Sequence, residues 1–469
     1  MAGLLAAAAA GPARAGDWDL QPRLRLVETY TDNVTLAPPG EEQSEYVTQV
    51  NPGVTLKGRG RRAELTLDYQ MQNLFYARDS GRNTTNHQLG ADGSLELVRR
   101  QVFLDAQASR SQQVISPVDA LPVSNLSVTA NRRDVTTYAA GPRLRHAFGS
   151  FATGNASYRW QRVEYGGRLA DRTQQTANAT LSSGRRFDRV GWTMAYHRTE
   201  ETGEGLPDHL LETGSLDLSL LLGAKTRVFG VYGYERNDYP QAQGADPPEG
   251  DFWEAGLRFN PSLRTSFEGA YGEHYFGETK RFEFRHQGPA TTWQASYRES
   301  LTTDTAIQIE RVQALILDEN GNVVLNQNGD PLVVEFPVPI VRTEVILQKR
   351  LAGGVAWDDG KTRLGLRAYR ELREYQTSGR EEEVYGGIGR MGWQAAPRTR
   401  LDLTGSWHRR LFPDSDREDE LWTAEAGATR QVSRSLQMGL RYRYLRRHSN
   451  QADRGYRENQ AELSLAKQF

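Results

Sequence analysis

Charged side chains recur at every second position in several segments of this chain, and their types and spacing could do chemistry. Side chains two or four positions apart lie on one face of an extended strand. Guanidinium and carboxylate groups on such a face can hydrogen-bond a hydrated solute, because each offers several donors or acceptors. Seven residues are predicted to form a polar, water-facing interior: Glu64, Asp68, Arg159, Arg363, Arg367, Arg441 and Arg443.

The sign of the predicted interior charges changes along the sequence. The first half is mainly acidic and the second half mainly basic: Glu64, Asp68, Asp105 and Asp217 against Arg281, Arg285, Arg363, Arg367, Arg441 and Arg443. We expect such opposed charges either to bridge across a wet interior or to line a pore. Because the two sets nearly balance, they predict no particular ion selectivity.

Residues that could support catalysis or bind a metal are few and scattered. His408 and His448 could belong to a hydrolase, but exposed or interior polar positions are the favoured interpretation. The acidic stretch 414–420 could bind Ca²⁺ through carboxylate oxygens, although Arg417 within it favours a solvated loop. We therefore predict that the protein is not an enzyme and has no catalytic residue, cofactor or bound metal.

The elements that must position these residues are β-strands. Apolar and polar residues alternate with a period of two, which is typical of a strand with one apolar and one polar face. The alternation is clearest in six segments: 63–71, 152–161, 190–196, 216–222, 401–408 and 436–444.

The connections between the predicted strands alternate between short and long. Turns near 57–60 and 148–150 are short, whereas the polar stretches 115–132 and 199–209 are long. Short turns on one rim and long loops on the other are typical of outer-membrane barrels, and the strands number about 22, within a range of about 18–24. The predicted fold class is all-β: a transmembrane, antiparallel, up-and-down β-barrel with short periplasmic turns and longer extracellular loops.

Composition agrees with a barrel and excludes two other classes of protein. The mean hydropathy is −0.67, and no segment approaches the ~18–20 apolar residues of a spanning helix. The formal net charge of −1 argues against a nucleic-acid partner, because phosphate binding usually needs a basic excess. Closure into a barrel is required since an unpaired backbone group in lipid has no water to bond.

The two ends of the chain are predicted to be a leader and a closing strand. Residues 1–15 have the apolar run and the small-residue cleavage site of a signal peptide but lack a basic start, so we expect a signal peptide whose N-terminal part is truncated. Residues 16–469 would form a single barrel domain. The last strand alternates from Gln460, and its apolar side is predicted to carry the barrel-assembly signal: Leu463, Leu465 and Phe469.

Aromatic residues gather near the predicted strand ends. Such rings suit the interface girdles of a barrel, where an amphipathic ring lies between lipid and water. The residues are Tyr30, Tyr46, Tyr76, Tyr165, Trp253, Tyr275, Phe276, Tyr375, Tyr385, Trp422 and Tyr456.

The longest interruption of the strand pattern is the insert at 302–340. It contains two Asn/Gly-rich turn clusters, 318–322 and 326–330, between short β-rich pieces. This composition predicts a loop with its own hairpin. Because loops of this length are usually functional or disordered, we expect it to constrict the mouth of the barrel.

Several short segments carry a family resemblance. They are Tyr30–Leu36 (YTDNVTL), Asn51–Val54, Leu67–Tyr69, Asn86–Leu89, Phe103–Ala106, Gly233–Tyr239 and Gly256–Ser262. In them the chain resembles the PEP-CTERM-system-associated outer-membrane β-barrel proteins over nearly its whole mature length. It is more loosely similar to barrels of exopolysaccharide biosynthesis and export.

The resemblance implies a barrel of the bacterial outer membrane that serves exopolysaccharide export and exosortase-linked surface-protein sorting, as a channel or assembly component. The expected partners are outer-membrane lipid and lipopolysaccharide, the barrel-assembly machinery, exopolysaccharide and other export components. Two alternatives remain open: a structural or adhesion barrel that binds surface proteins or lipopolysaccharide, and, less favoured, a barrel hydrolase.

Overall fold

The computed structural model describes residues 16–114, 116, 119–167, 169–241, 247–303, 313–315, 333–335 and 344–469. The predicted leader, 1–15, and most of the insert at 302–340 lie outside this part of the chain. Within it, none of the helices has the length and apolar character needed to cross a membrane.

The described residues form 24 strands. They are β1 (Asp17–Thr31), β2 (Glu45–Arg59), β3 (Ala63–Tyr76), β4 (Thr84–Val98), β5 (Val102–Val114), β6 (Arg132–Phe148), β7 (Ala152–Tyr165), β8 (Arg172–Ser183), β9 (Val190–Gly203), β10 (Leu206–Gly223), β11 (Thr226–Asp238), β12 (Glu249–Ser262), β13 (Thr265–His274), β14 (Gly277–Gln287), β15 (Thr291–Thr303), β16 (Gln313–Leu315), β17 (Val333–Glu335), β18 (Val345–Asp358), β19 (Thr362–Tyr375), β20 (Glu381–Ala396), β21 (Thr399–Phe412), β22 (Arg417–Gln431), β23 (Leu436–Ser449) and β24 (Tyr456–Gln468). Two single-turn 3₁₀ helices, Ser80–Arg82 and Pro413–Ser415, lie between strands.

All strands except β16 and β17 belong to one 22-stranded sheet. Each strand pairs antiparallel with its neighbour along the chain, β15 pairs with β18 across the insert, and β24 pairs with β1. The sheet therefore closes into a barrel, and the predicted fold class and strand number are confirmed. The short strands β16 and β17 pair antiparallel with each other. The turn clusters predicted for the insert lie outside the described residues, so a hairpin built on them stays a prediction.

The closing seam joins the two ends of the barrel. Register runs from Arg23 opposite Gln468 to Thr31 opposite Gln460. Beyond the last pair, the Phe469 N–H donates to the Pro22 carbonyl at 2.9 Å. The side chains of Leu463, Leu465 and Phe469 are exposed, on the face of β24 opposite Glu462. Their role as an assembly signal stays a prediction.

The turn between β18 and β19 shows how short connections reverse the chain. The backbone N–H groups of Lys361 and Thr362 donate to the Asp359 carboxylate at 2.9 and 2.6 Å. These bonds favour the ionised form and lower the pKa of Asp359. Gly360, at φ 85°, supplies the left-handed backbone that the turn requires.

The predicted long loop at 199–209 is wrong. β9 continues to Gly203 and β10 begins at Leu206, so only residues 204–205 connect them. The polar run from Thr199 to Glu204 suggested a loop because it lacks apolar alternation. Strand ends that project beyond the lipid need no apolar face, so this signal is lost there.

The predicted aromatic girdle is correct in part. Tyr30, Tyr46, Trp253 and Trp422 are exposed on the outer face. Four other members are buried on the inner face instead: Tyr76, Tyr165, Tyr375 and Tyr456. Position near a strand end therefore did not decide which side a ring occupies, because side-chain parity does.

An arginine on the outer face should destabilise the barrel. Leu440 on β23 is 62% exposed and faces outward, so Leu440→Arg would place a charge against acyl chains and lower the free energy of unfolding by about 2–4 kcal/mol. Urea unfolding in lipid vesicles, followed by tryptophan fluorescence, measures this change. The control is Gln437→Arg, on the inner face of the same strand; equal losses in the two variants would contradict the assigned faces.

Candidate functional site

The inner face of the sheet is identified by contacts that skip a strand. Arg23 on β1 donates to Asp68 on β3 at 2.6 Å, across β2. Arg159 on β7 donates to Gln107 on β5 at 2.6 Å, across β6. Side chains converge on the concave side of a curved sheet and diverge on its convex side, so these contacts mark the barrel interior.

All seven predicted interior residues lie on this concave face by strand register. In the first half, Glu64 accepts a bond from Arg59 at 3.0 Å, in addition to the contacts of Asp68 and Arg159 described above. These residues are therefore held by neighbours on the same part of the wall.

Of the four second-half arginines among these seven residues, three are also paired. Arg363 lies 3.1 Å from Asp358, and Arg441 and Arg443 share Glu425 at 3.1 and 2.7 Å. The side chain of Arg367 has no hydrogen bond or ion pair with any described residue.

The expected segregation of acidic and basic halves does not organise the interior. Asp105 pairs with Arg143 at 2.8 Å, and Arg281 pairs with Glu268 at 2.8 Å. These partners lie on adjacent or next-but-one strands, so most charges are neutralised locally and do not bridge across the barrel. The wall is polar and dense in ion pairs.

Buried ion pairs were not recognised from the sequence. Arg172 and Glu201 lie 3.2 Å apart with side chains only 4% exposed, and Arg373 lies 2.7 Å from Glu371 with both buried. Their charges look like any other polar strand position, because sequence alternation does not show what covers a side chain.

A loop folded into the barrel covers part of the inner wall. We call residues 119–131, between β5 and β6, the inner loop. Its Leu126 is 1% exposed and clusters with Val34, Val47, Leu74 and Tyr76. The Tyr76 hydroxyl donates to the Leu126 carbonyl at 2.7 Å. An apolar cluster thus anchors this loop against the inner faces of β2 and β3.

Polar contacts fix the rest of the inner loop. Asn125 donates to Gln72 of β3 at 2.9 Å, and the Leu121 N–H donates to the Tyr456 hydroxyl of β24 at 2.8 Å. The Val128 N–H donates to the carbonyl of Val34, in the connection between β1 and β2, at 2.7 Å. The inner loop therefore spans β24 to β3 beside the closing seam and narrows the extracellular mouth on that side.

The constriction predicted for the insert at 302–340 lies largely outside the described residues. The sequence pattern predicts the inner loop only as a long connection, although its composition indicates more. Leu121, Val123, Leu126 and Val128 give it an apolar content that a solvated loop does not need.

The residues considered for hydrolysis or metal binding are not brought together. His408 lies on the inner face of β21, with Nδ1 3.0 Å from the Tyr369 hydroxyl. His448 is opposite Glu420 and on the other face of β23 from Arg447. In the part of the chain that the structure describes, no group of His, Asp and Glu side chains is arranged to hold a metal ion.

A closed barrel with an apolar outer face and a charged, locally neutralised inner face defines an outer-membrane, porin-like protein. The chain belongs to the family described as Putative beta-barrel porin 2, whose model matches residues 7–196 and 390–469. The protein is accordingly located in the bacterial outer membrane. No curated protein sequence matches the chain.

Solved structures with a similar fold include several iron-uptake barrels. The ferric enterobactin receptor PfeA from Pseudomonas aeruginosa has a TM-score of 0.54 at 11% identity, covering 96% of this chain and 80% of the receptor. The siderophore receptor PirA from Acinetobacter baumannii has a TM-score of 0.54 at 9% identity, covering 97% of this chain and 81% of the receptor. The FrpB iron transporter from Neisseria meningitidis has a TM-score of 0.53 at 9% identity, covering 96% of this chain and 83% of the transporter. Identities this low establish the shared barrel fold alone.

Breaking the apolar anchor should release the inner loop without unfolding the barrel. Leu126→Asp would place a carboxylate in the cluster around Tyr76, and burying an unpaired charge is strongly unfavourable. We expect faster amide hydrogen exchange across residues 119–131 while the strands stay protected. Hydrogen exchange with mass spectrometry measures both. Val123→Asp, at a 36% exposed position of the same loop, should behave like the parent protein. Unchanged exchange in Leu126→Asp would show that the cluster does not anchor the loop.

Proposed function

We propose that this protein is a passive outer-membrane conduit for hydrated solutes. The observation that carries the proposal is the inner wall, where arginines and carboxylates pair locally on adjacent or next-but-one strands. Paired charges keep donors and acceptors at the surface, whereas unpaired charges in excess would bind a solute of opposite sign and retain it.

The proposed mechanism is exchange of hydrogen bonds along the wall. A hydrated chain that enters the barrel gives up some bonds to water and makes similar ones to guanidinium, carboxylate and amide groups, so its free energy changes little on the way. The inner loop limits the cross-section at the extracellular mouth. No described residue is assigned a covalent step, and we propose that the protein is not an enzyme.

We further propose that the transported material is exopolysaccharide and that the barrel serves PEP-CTERM and exosortase surface-protein sorting. The support for this assignment is the sequence resemblance in segments such as Tyr30–Leu36. The proposed partners are outer-membrane lipid and lipopolysaccharide, the barrel-assembly machinery and other components of the export system.

Channel formation is tested in planar bilayers. The purified barrel should give stepwise ionic conductance, because its wall is polar throughout, and Leu126→Asp should widen the mouth and raise the conductance of each step. Val123→Asp is the matched control. Absence of conductance, combined with specific capture of a surface protein by the barrel, would replace the conduit with an adhesion barrel.

The polysaccharide assignment is tested in a deletion strain. Loss of the gene should trap polysaccharide in the periplasm, and a plasmid copy should restore secretion. Normal secretion in the deletion strain would remove the export role, while leaving the conductance result untouched.

A further inference from the structure

Three arginines surround one glycine on the inner wall. Arg363 and Arg367 lie two residues to either side of Gly365 on β19, so the three share a face. Arg390 on β20 is directly opposite Gly365 in the antiparallel register. Same-face neighbours along a strand are about 7 Å apart, and directly opposed residues about 5 Å apart. The guanidinium groups therefore border one small area of wall, which we call the arginine cradle.

The arginine cradle carries more positive charge than its neighbours neutralise. Asp358 pairs with Arg363 at 3.1 Å. The side chains of Arg367 and Arg390 have no hydrogen bond or ion pair with the residues the structure describes. This differs from the ion-paired wall around Arg143 or Arg443, so the cradle is a local exception to the near balance of interior charge.

The floor of the arginine cradle is open. A methyl group added at Gly365 would meet no other atom within 4 Å, and the residue opposite Gly365 on β18 is the small Ala356. A ligand atom can therefore approach the sheet between the three side chains. Gln294 adds an amide at the edge, since its Nε2 lies 3.6 Å from the position of a Cβ on Gly354, which pairs with Arg367.

We infer that the arginine cradle is a binding subsite for the oxyanion groups, carboxylate or phosphate, of solutes inside the barrel. A guanidinium offers a planar fork of N–H donors that matches either group in a bidentate geometry, and among the described residues no acceptor occupies two of these forks. The subsite deepens the proposed conduit function and rests on it, because the solute must first enter the interior. It adds a preference for acidic over neutral sugar chains.

Equilibrium binding tests this subsite directly. The detergent-solubilised barrel is titrated calorimetrically with trigalacturonate, glucose 6-phosphate and the neutral maltotriose. Trigalacturonate and glucose 6-phosphate should bind and maltotriose should not. Binding of only one of the two acids identifies the oxyanion as carboxylate or phosphate. Equal binding of maltotriose and trigalacturonate would overturn the inference.

Substitution of the two unpaired arginines assigns the binding to this position. The double variant Arg367→Gln with Arg390→Gln should weaken binding of the acidic probe by about 5-fold or more, as expected for two solvent-accessible charge contacts. Arg367→Lys with Arg390→Lys keeps the charge and should recover part of the affinity. The control is Arg185→Gln with Arg186→Gln, which removes two exposed positive charges in the connection between β8 and β9, outside the interior wall, and should leave affinity unchanged. Equal losses in control and test variants would contradict the assignment.

The failure of this inference is separable from failure of the conduit. A barrel that conducts ions but binds maltotriose and trigalacturonate alike keeps the conduit and loses the subsite. A barrel that does not conduct in bilayers but binds trigalacturonate through Arg367 and Arg390 loses the conduit and keeps the subsite as a ligand site.

Discussion

Backbone hydrogen bonding in lipid is the constraint on which the rest of this structure depends. An N–H or C=O group left unpaired in hydrocarbon costs several kcal/mol, so a sheet with free edges could not exist there. The pairing of β24 with β1 removes both edges at once. Closure then forces the period-two alternation to separate two environments, with leucines such as Leu440 against acyl chains and charged side chains inside.

Closure also determines how the interior charges are arranged. Curvature brings side chains of the concave face together across an intervening strand, which lets Arg23 reach Asp68 and Arg159 reach Gln107. Such pairs lower the cost of placing many charges on one enclosed surface. The arginine cradle around Gly365 departs from this arrangement, and unpaired charge on an otherwise neutralised wall is where a charged solute gains most.

The mouth of the barrel, unlike the rest of its wall, is shaped by a loop that packs against the inner faces of the strands. The inner loop lies against β24, β2, β3 and the connection between β1 and β2, through an apolar cluster around Leu126 and through hydrogen bonds to side chains of the wall. Aromatic residues that would otherwise line an open mouth, including Tyr76 and Tyr456, are covered by it. The apolar side chains on the inner faces of β2, β3 and β24 near the mouth are therefore explained by the loop that buries them.

Alternation, turn composition and the closing strand were sufficient to predict the barrel, its antiparallel order and its strand number, because these features depend on patterns within short stretches of the sequence. The position of the seven predicted residues on the inner face also follows from the alternation of side chains along each strand. The polar strand ends of the 199–209 hairpin carry no alternation that would indicate strands, and the inward side of Tyr76 follows from its parity and not from its position near a strand end. The anchoring of Leu126 could not be predicted from the pattern, because it depends on contacts between segments far apart in the chain. The same reason explains the charges: the sequence predicts that Arg367 and Arg443 are interior arginines, but only the closed sheet decides that Arg443 pairs with Glu425 and that Arg367 has no acidic partner among the described residues.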